Sequence, residues 1–457
     1  MTKPLSARTT GKIMSEGAPE FCRDAAPAEA APSSAPAAAV HAPVAPEERI
    51  AIVDVLRGFA LLGILAVNMQ FYTTPFSKFM AVDSFWSEPH DVWATFCIRF
   101  FAQSKFYTLF SFLFGLGISI QLLRAQAKGR PFLGYHYRRM LVLLLIGLFH
   151  AFFIWMGDIL VTYALLGCIL PLFLRCQPRT LFIWAAVILF GLIAVFLVGT
   201  GLMVLGSFFD DAPPGLPGSE EAREQVRLAV ENEIATYARG GFWEITGLRA
   251  WQTLSAYVFL IFYQGPHSLV MFLLGLAVGK SGWFQNLPAS LFWFRRAWLF
   301  GLIVGLGGTI LVEWLQSQAT TDTLSGLSWK FGAGAATLLT APALSCFYAS
   351  TLVILYQYPT VRAVLNPLTA VGQMALTNYL AQSLICTTLF YGSTILFGLG
   401  FGFYASLGPA VGIGLTLLIW LVEVVWSNLW LRTLSMRFGP MEWVWRTLTY
   451  WKIQPMR

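Results

Sequence analysis

The chain has 457 residues, of which 57% are apolar, 15% aromatic and 12% charged, with a net charge of +7. A soluble domain runs at about 45–50% apolar and about 25% charged, so a chain of this balance cannot cover its own surface with polar groups. The composition excludes an ordinary soluble globule. The positive charge does not mark a nucleic-acid binder, because the basic residues fall between apolar runs, as topology signals do.

Residues 1–48 read as a separate unit, dominated by Ala and Pro from Ala25 to Pro46 and without apolar periodicity. That predicts a disordered tail, with no apolar run long enough for a cleaved signal peptide. Ten apolar segments follow, each near the roughly 20 residues that span a bilayer. They lie at about Ala51–Phe71, Phe106–Leu123, Met140–Met156, Ile159–Leu174, Leu181–Leu205, Thr253–Gly279, Ala297–Leu315, Phe331–Leu355, Leu368–Phe397 and Ala405–Leu431. The third and fourth are joined by a tight turn at Gly157-Asp158, and the aromatic stretch Asp91–Ala102 lies in the interface or extends the second helix. The expected fold is an all-α polytopic membrane bundle of about ten helices. It divides into five helices over 49–205, an outer loop over 206–252, five helices over 253–432 and an interfacial segment over 433–457.

Loop charge sets the orientation. With the N-terminus in the cytoplasm, the inward loops hold Arg124, Lys128, Arg130, Arg138, Arg139, Arg175, Arg179, Lys280, Arg295, Arg296 and Arg362, and the C-terminal tail adds Arg432, Arg437, Arg446, Lys452 and Arg457. The outward loops are poorer, apart from the long loop 206–252, and long loops weigh little in this rule. Both termini are therefore expected on the cytoplasmic side. Within the long loop, Val226, Val230 and Ile234 recur every four residues, which predicts a helix with one apolar stripe over Ser219–Arg239.

An ionisable side chain at bilayer depth costs a few kcal/mol even on the mildest scale and is a functional candidate by default. Asp54 and Arg57 share a face at the start of the first segment, as a structural pair or, with Arg138 and Arg139, as a receiver of anionic groups. Asn68 lies farther along the same helix. His150 sits in the outer half of the third segment with Asp158 at the outer turn, the elements of a general base and an orienting carboxylate, although Asp158 also suits a helix cap and His150 an interhelical hydrogen bond. His267 follows Gly265-Pro266, where a kink is expected. Asn378 and Gln382 share a face of the ninth segment, to bind a polar substrate or to hold helices together. Glu423 in the tenth is a lone carboxylate that needs a partner, with His150, His267 and Arg57 as candidates. Glu442 and Arg446 are four apart on an interfacial helix with Trp443 and Trp445, and read as an anchor. The histidines and the six cysteines lack metal-ligand spacing, so no metal or bound cofactor is expected.

The segments RGFALLGILAVNMQF (Arg57–Phe71), KFYTLFSFLFGLG (Lys105–Gly117), GLFHAFFIWMGDILVTYALLG (Gly147–Gly167), GQMALTNYLAQSLICTTLFY (Gly372–Tyr391) and GPMEWVWRTLTY (Gly439–Tyr450) resemble the YeiB-like bacterial inner-membrane proteins, which carry a C-terminal domain of unknown function. The likeness runs from about Arg49 to Tyr450. Through the Asp-x-x-Arg-Gly start at Asp54–Gly58, that family is distantly similar to the transmembrane acyltransferase superfamily. This second resemblance implies transfer of an acyl group from cytoplasmic acyl-CoA, as co-substrate, to a small-molecule, lipid or glycan acceptor at or beyond the membrane. It also implies a catalytic His, a role that falls first to His150 and second to His90 in His90-Asp91-Val92-Trp93. A transporter or exporter of a small polar or amphipathic molecule is the competing class, since buried polar groups and a broken helix suit a substrate path as well. An internal repeat, common in such proteins, is not evident. A non-catalytic assembly or sensor protein is the third.

Overall fold

The computed structural model describes residues 50–79, 85–208, 220–320, 323–395 and 398–457, so the expected tail at 1–48 lies outside the described residues. The regular elements among them are all helical. Eight helical stretches are long and apolar enough to cross a membrane: Ala51–Thr73, Pro89–Ala127, Leu133–Phe153, Pro178–Gly206, Phe242–Lys280, Leu287–Ser317, Leu324–Leu355 and Pro409–Thr433. The other two expected segments are shorter. One is a helix at Leu160–Ile169, continued by a tighter turn through Phe173. The other is broken at Met374 into Pro367–Gln373 and Ala375–Phe390. The chain is thus an all-α polytopic bundle with eight full spans and two shorter apolar pieces among the described residues.

The helices used below are α1 (Ala51–Thr73), α2 (Pro89–Phe101), α3 (Lys105–Ala127), α4 (Leu133–Phe153), α5 (Leu160–Ile169), α6 (Pro178–Gly206), α7 (Glu220–Arg239), α8 (Phe242–Phe259), α9 (Gly265–Lys280), α10 (Leu287–Phe300), α11 (Gly307–Ser317), α12 (Leu324–Leu355), α13 (Pro367–Gln373), α14 (Ala375–Phe390), α15 (Pro409–Asn428) and α16 (Pro440–Tyr450). Proline stands in the first turn of α2, α6, α13, α15 and α16, where its missing N–H is not needed. The aromatic stretch Asp91–Ala102 forms α2, separated from α3 by a turn in which Ser104 takes φ 67°. The span expected from Thr253 starts earlier, at Phe242, and a π-turn at Leu260–Gln264 joins α8 to α9 just before the Gly265-Pro266 pair.

Close helix crossings position the core. Without a hydrophobic drive between helices in lipid, small residues let backbones approach for packing. Gly115 on α3 and Gly275 on α9 do this reciprocally: a methyl group on Gly115 would sit 2.2 Å from the Phe272 carbonyl oxygen, and one on Gly275 would sit 2.1 Å from that of Phe112. Gly372 of α13 lies against α1 in the same way: a methyl group on it would sit 1.9 Å from the Asp54 carbonyl oxygen. The other extreme is α6. It has a mean hydropathy of 3.0 over its best window, yet Ile183, Val187, Phe190, Val195 and Leu202 point outward and exposed. Such a continuous apolar face belongs against lipid rather than water.

Gly275→Leu is therefore expected to destabilise the protein by about 1–3 kcal/mol or more through overpacking. Gly191→Leu on α6, where nothing lies within 4 Å, should leave stability unchanged. Thermal unfolding of the two variants in detergent checks the contrast.

Candidate functional site

His150 lies one turn before the end of α4, and the chain then reverses through Gly157 and Asp158 into α5. The two oxygens of Asp158 have separate tasks. Oδ1 accepts the backbone N–H of Val161 at 2.8 Å and closes the start of α5. Oδ2 lies 2.8 Å from His150 Nδ1. A carboxylate only accepts, so Nδ1 carries the proton and a neutral His150 keeps its lone pair on Nε2. Both side chains are fully buried, and Nε2 has no hydrogen-bond partner. The turn is held from the side by Tyr379, whose ring lies 5.3 Å from that of His150 and whose hydroxyl touches Gly157 O and Ile159 N at 3.4 Å.

Nε2 is not an isolated exception. Buried polar atoms are almost always paired, so a group of unpaired ones needs a reason. Trp155 packs edge-on to His150, and its Nε1 is unpaired. Tyr72 stacks on Trp155 at 5.4 Å, and its hydroxyl is unpaired. On α14, Gln382 lies between Tyr379 and Cys386 on one face. It donates Nε2–H to Glu423 Oε2 of α15 at 2.8 Å, which leaves Gln382 Oε1 and Glu423 Oε1 unpaired. Five unpaired polar atoms thus come from neighbouring parts of α1, α4, the α4–α5 turn, α14 and α15.

That region is closed off by α7 and α8. Glu233 accepts the N–H groups of Phe76 and Ser77 at 2.7 and 3.0 Å and the hydroxyls of Ser77 and Tyr404. Tyr237 stacks on Tyr391 at 4.4 Å. Val226, Val230 and Ile234 of α7 are half-buried along the same side. Buried Arg249 of α8 reaches back to α4 and donates to the carbonyls of Phe152 and Ile154 at 3.0 and 2.9 Å, so it satisfies the end of the helix that carries His150. An open surface hollow of about 520 Å³ between α7 and α8 is lined by Asn232, Thr236, Arg239 and Glu244. The dyad is not among its lining residues, and Asn232, Arg239 and Glu244 are exposed there.

A second group gathers at the other end of α1 and α4. Arg57 donates to Asp54 at 2.7 Å, and its guanidinium lies beside Gly117 of α3. Arg139 bonds Gln121 and rests 4.3 Å over the Trp445 ring, whose Nε1 donates to Arg139 O at 3.0 Å. Arg446, over Phe438, and Arg57 both lie near enough to act electrostatically on Arg139. Asp54 is the one carboxylate among the described residues in ion-pair contact with any of these three arginines. The hydroxyls of Tyr135 and Tyr450 meet at 2.9 Å alongside. Such a surplus of planar donors suits phosphate or carboxylate groups. Eleven residues separate Arg139 from His150 on α4, about 16 Å at 1.5 Å per residue.

Other residues singled out in the sequence have structural partners. His267 donates Nε2–H to Leu338 O at 2.9 Å and accepts the Tyr107 hydroxyl on Nδ1 at 2.7 Å, so both nitrogens are occupied. Asn378 Nδ2 bonds Val371 O and Ser427 Oγ, closing the end of α13 and linking α14 to α15. Glu423 is paired with Gln382 rather than with His150, His267 or Arg57. Glu442 does not pair with Arg446: its carboxylate accepts the N–H groups of Leu376 and Thr377 at 2.7 and 3.1 Å and the Thr377 hydroxyl at 2.5 Å. Burial pushes the Glu442 carboxyl up, and these donors pull it back. Arg138 is exposed and Asn68 half-exposed; neither joins the two groups through a hydrogen bond among the described residues. Exposed His90 sits 3.5 Å from Asp91, which itself caps α15 through Ala410 N. Sequence reading gave Arg446 to an anchor and did not single out Tyr135, Gln121 or Arg249, whose only sequence signal is a polar side chain on an apolar helix.

These observations define a multi-pass membrane protein with a buried His–Asp dyad and an arginine-rich end. A family model described as a protein of unknown function (DUF418) matches residues 278–452. The chain is 36% identical over 429 residues to the uncharacterized protein YxaH of Bacillus subtilis (strain 168), covering 91% of this chain and 97% of that one. It is 30% identical over 408 residues to the uncharacterized protein YeiB of Escherichia coli (strain K12), covering 88% and 96%. An uncharacterized 39.9 kDa protein in the amylase 3' region of Bacillus acidopullulyticus is 28% identical over 424 residues, covering 89% and 96%. The chain belongs to the YeiB-like family with its domain of unknown function.

The cap at α14 gives a stability test. Glu442→Ala removes the acceptor of two buried N–H groups and is expected to cost about 2 kcal/mol. Unfolding by SDS titration, compared with the neighbouring exchange Arg446→Ala, measures it.

Proposed function

We propose that the protein is a membrane-embedded acyltransferase in which His150 is the general base and Asp158 its orienting carboxylate. One observation carries this reading: His150 Nδ1 is held by Asp158 at 2.8 Å while Nε2 is buried without a partner. A base fixed on one nitrogen and unengaged on the other is what proton abstraction requires. In the proposed step, Nε2 takes the proton of an acceptor hydroxyl or amine as its oxygen or nitrogen attacks the thioester carbonyl of acyl-CoA. The C–S bond breaks, and the thiolate leaves with the proton returned from the imidazolium. The phosphates of acyl-CoA sit against Arg57, Arg139 and Arg446, and an extended pantetheine arm runs along α4 toward His150. The fit of CoA to this end rests on its surplus of guanidinium donors over carboxylates. Loop charge orients the arginine end and both termini to the cytoplasm of a bacterial inner membrane.

A second reading is transport of a small polar or amphipathic molecule. The break at Met374 favours it, because discontinuous helices beside buried polar groups also build substrate sites. Purified wild-type protein with acetyl-CoA is expected to release free thiol, and His150→Gln to lower that rate by about 100-fold or more while the fold is kept. Absence of both acetyl-CoA binding and thiol release, with uptake or efflux in proteoliposomes lacking any acyl donor, sinks the enzyme reading. For the orientation, a fluorescent-protein fusion after Arg457 should fluoresce and a periplasmic-phosphatase fusion there should be inactive; the reverse pattern inverts the topology.

A further inference from the structure

The Glu423–Gln382 pair is the buried acidic group that the dyad does not explain. Both side chains are nearly inaccessible, at 3% and 2% exposure. The Gln382 amide turns its N–H toward Glu423 Oε2 at 2.8 Å, which leaves its own Oε1 without a donor. Glu423 Oε1 and Gln382 Oε1 are then two acceptors on one pair, each without a donor. No Lys, Arg or His pairs with Glu423 among the described residues. The pair borders the aromatic cluster that includes Tyr72, Trp155 and Cys386: Gln382 is one turn from Cys386 on α14, and Glu423 one turn from Ile419 on α15. Ionising a buried carboxyl without a counter-charge is costly, so a cation beside Glu423 is what would let its carboxylate form. A neutral hydroxyl would fill the acceptors without balancing the charge. Two oxygens are also too few for a hard metal ion, which takes on the order of six. A primary ammonium brings both the charge and the N–H donors.

We infer that Glu423 and Gln382 form a subsite for the protonated primary amine of a small substrate, with the amine nitrogen held between Glu423 Oε1 and Gln382 Oε1. This deepens the acyl-transfer reading and rests on it in one respect: the acceptor would carry an ammonium group here and a separate hydroxyl at His150 Nε2. The amine itself is not acylated, because it stays protonated.

The test is binding to the full-length protein in detergent without acyl-CoA, by isothermal titration with ethanolamine, with ethylene glycol and potassium chloride as controls. Ethanolamine is expected to bind saturably, ethylene glycol and potassium not to compete, and Glu423→Gln to weaken ethanolamine at least tenfold. Gln382→Leu should weaken it as well. Size-exclusion profiles establish that the variants are folded; if Glu423→Gln is not, Gln382→Leu decides. Equal ethanolamine binding by wild type and the folded variants overturns the inference, as does absence of ethanolamine binding. Binding of ethylene glycol or potassium as strongly as ethanolamine also overturns it, assigning the pair to hydroxyls or to an alkali ion. His150→Gln should keep ethanolamine binding while losing thiol release, so failure of the acyl-transfer reading and failure of the ammonium subsite give different results.

Discussion

Inside hydrocarbon, a helix end is a set of N–H or C=O groups with no water to meet them, and each must be answered by protein. Among the described residues, side chains answer several such ends, and four of them matter for the polar region and its surroundings. Asp158 closes the start of α5, Asn378 the end of α13, Glu442 the start of α14 and Arg249 the end of α4. Two of these four adjoin the buried polar region directly. Its position follows from where helices stop: a helix that stops mid-bundle presents polar groups there, and the residues that satisfy it bring more.

The same constraint explains why the dyad is well fixed. Asp158 could not shift toward a different partner without releasing Val161 N–H, and the α4 end could not shift without releasing Arg249. The arginine end is built differently, from side chains on long helices with few carboxylates among them. One end of α4 is therefore fixed by hydrogen bonds while His150 Nε2 stays unpaired. The other is positively charged.

Much of the fold was legible because apolar run length follows directly from bilayer thickness. The break at Met374 was not, since Gln373-Met374-Ala375 contains no helix breaker. The break depends on Glu442, distant in sequence, and sequence spacing suggested that Glu442 pairs with Arg446. Arg249 drew the sixth span's expected start to Thr253 because a charge reads as solvated, whereas its guanidinium is spent on backbone carbonyls. Sequence set His150 apart from His267 only by the nearby Asp158. That one ring nitrogen of His150 lacks a partner while both of His267 are occupied is a property of tertiary structure.

Arg249 also orders the protein in time. The carbonyls it holds, on Phe152 and Ile154, leave the ribosome almost a hundred residues before it does, and Tyr379 and Gln382 follow more than a hundred residues after that. Through this interval the dyad helix has entered the bilayer with an unfinished end. The nascent chain must borrow partners for it from water at the interface, from the insertion machinery or from lipid headgroups. The polar core thus closes late, although its central histidine is among the earlier residues made.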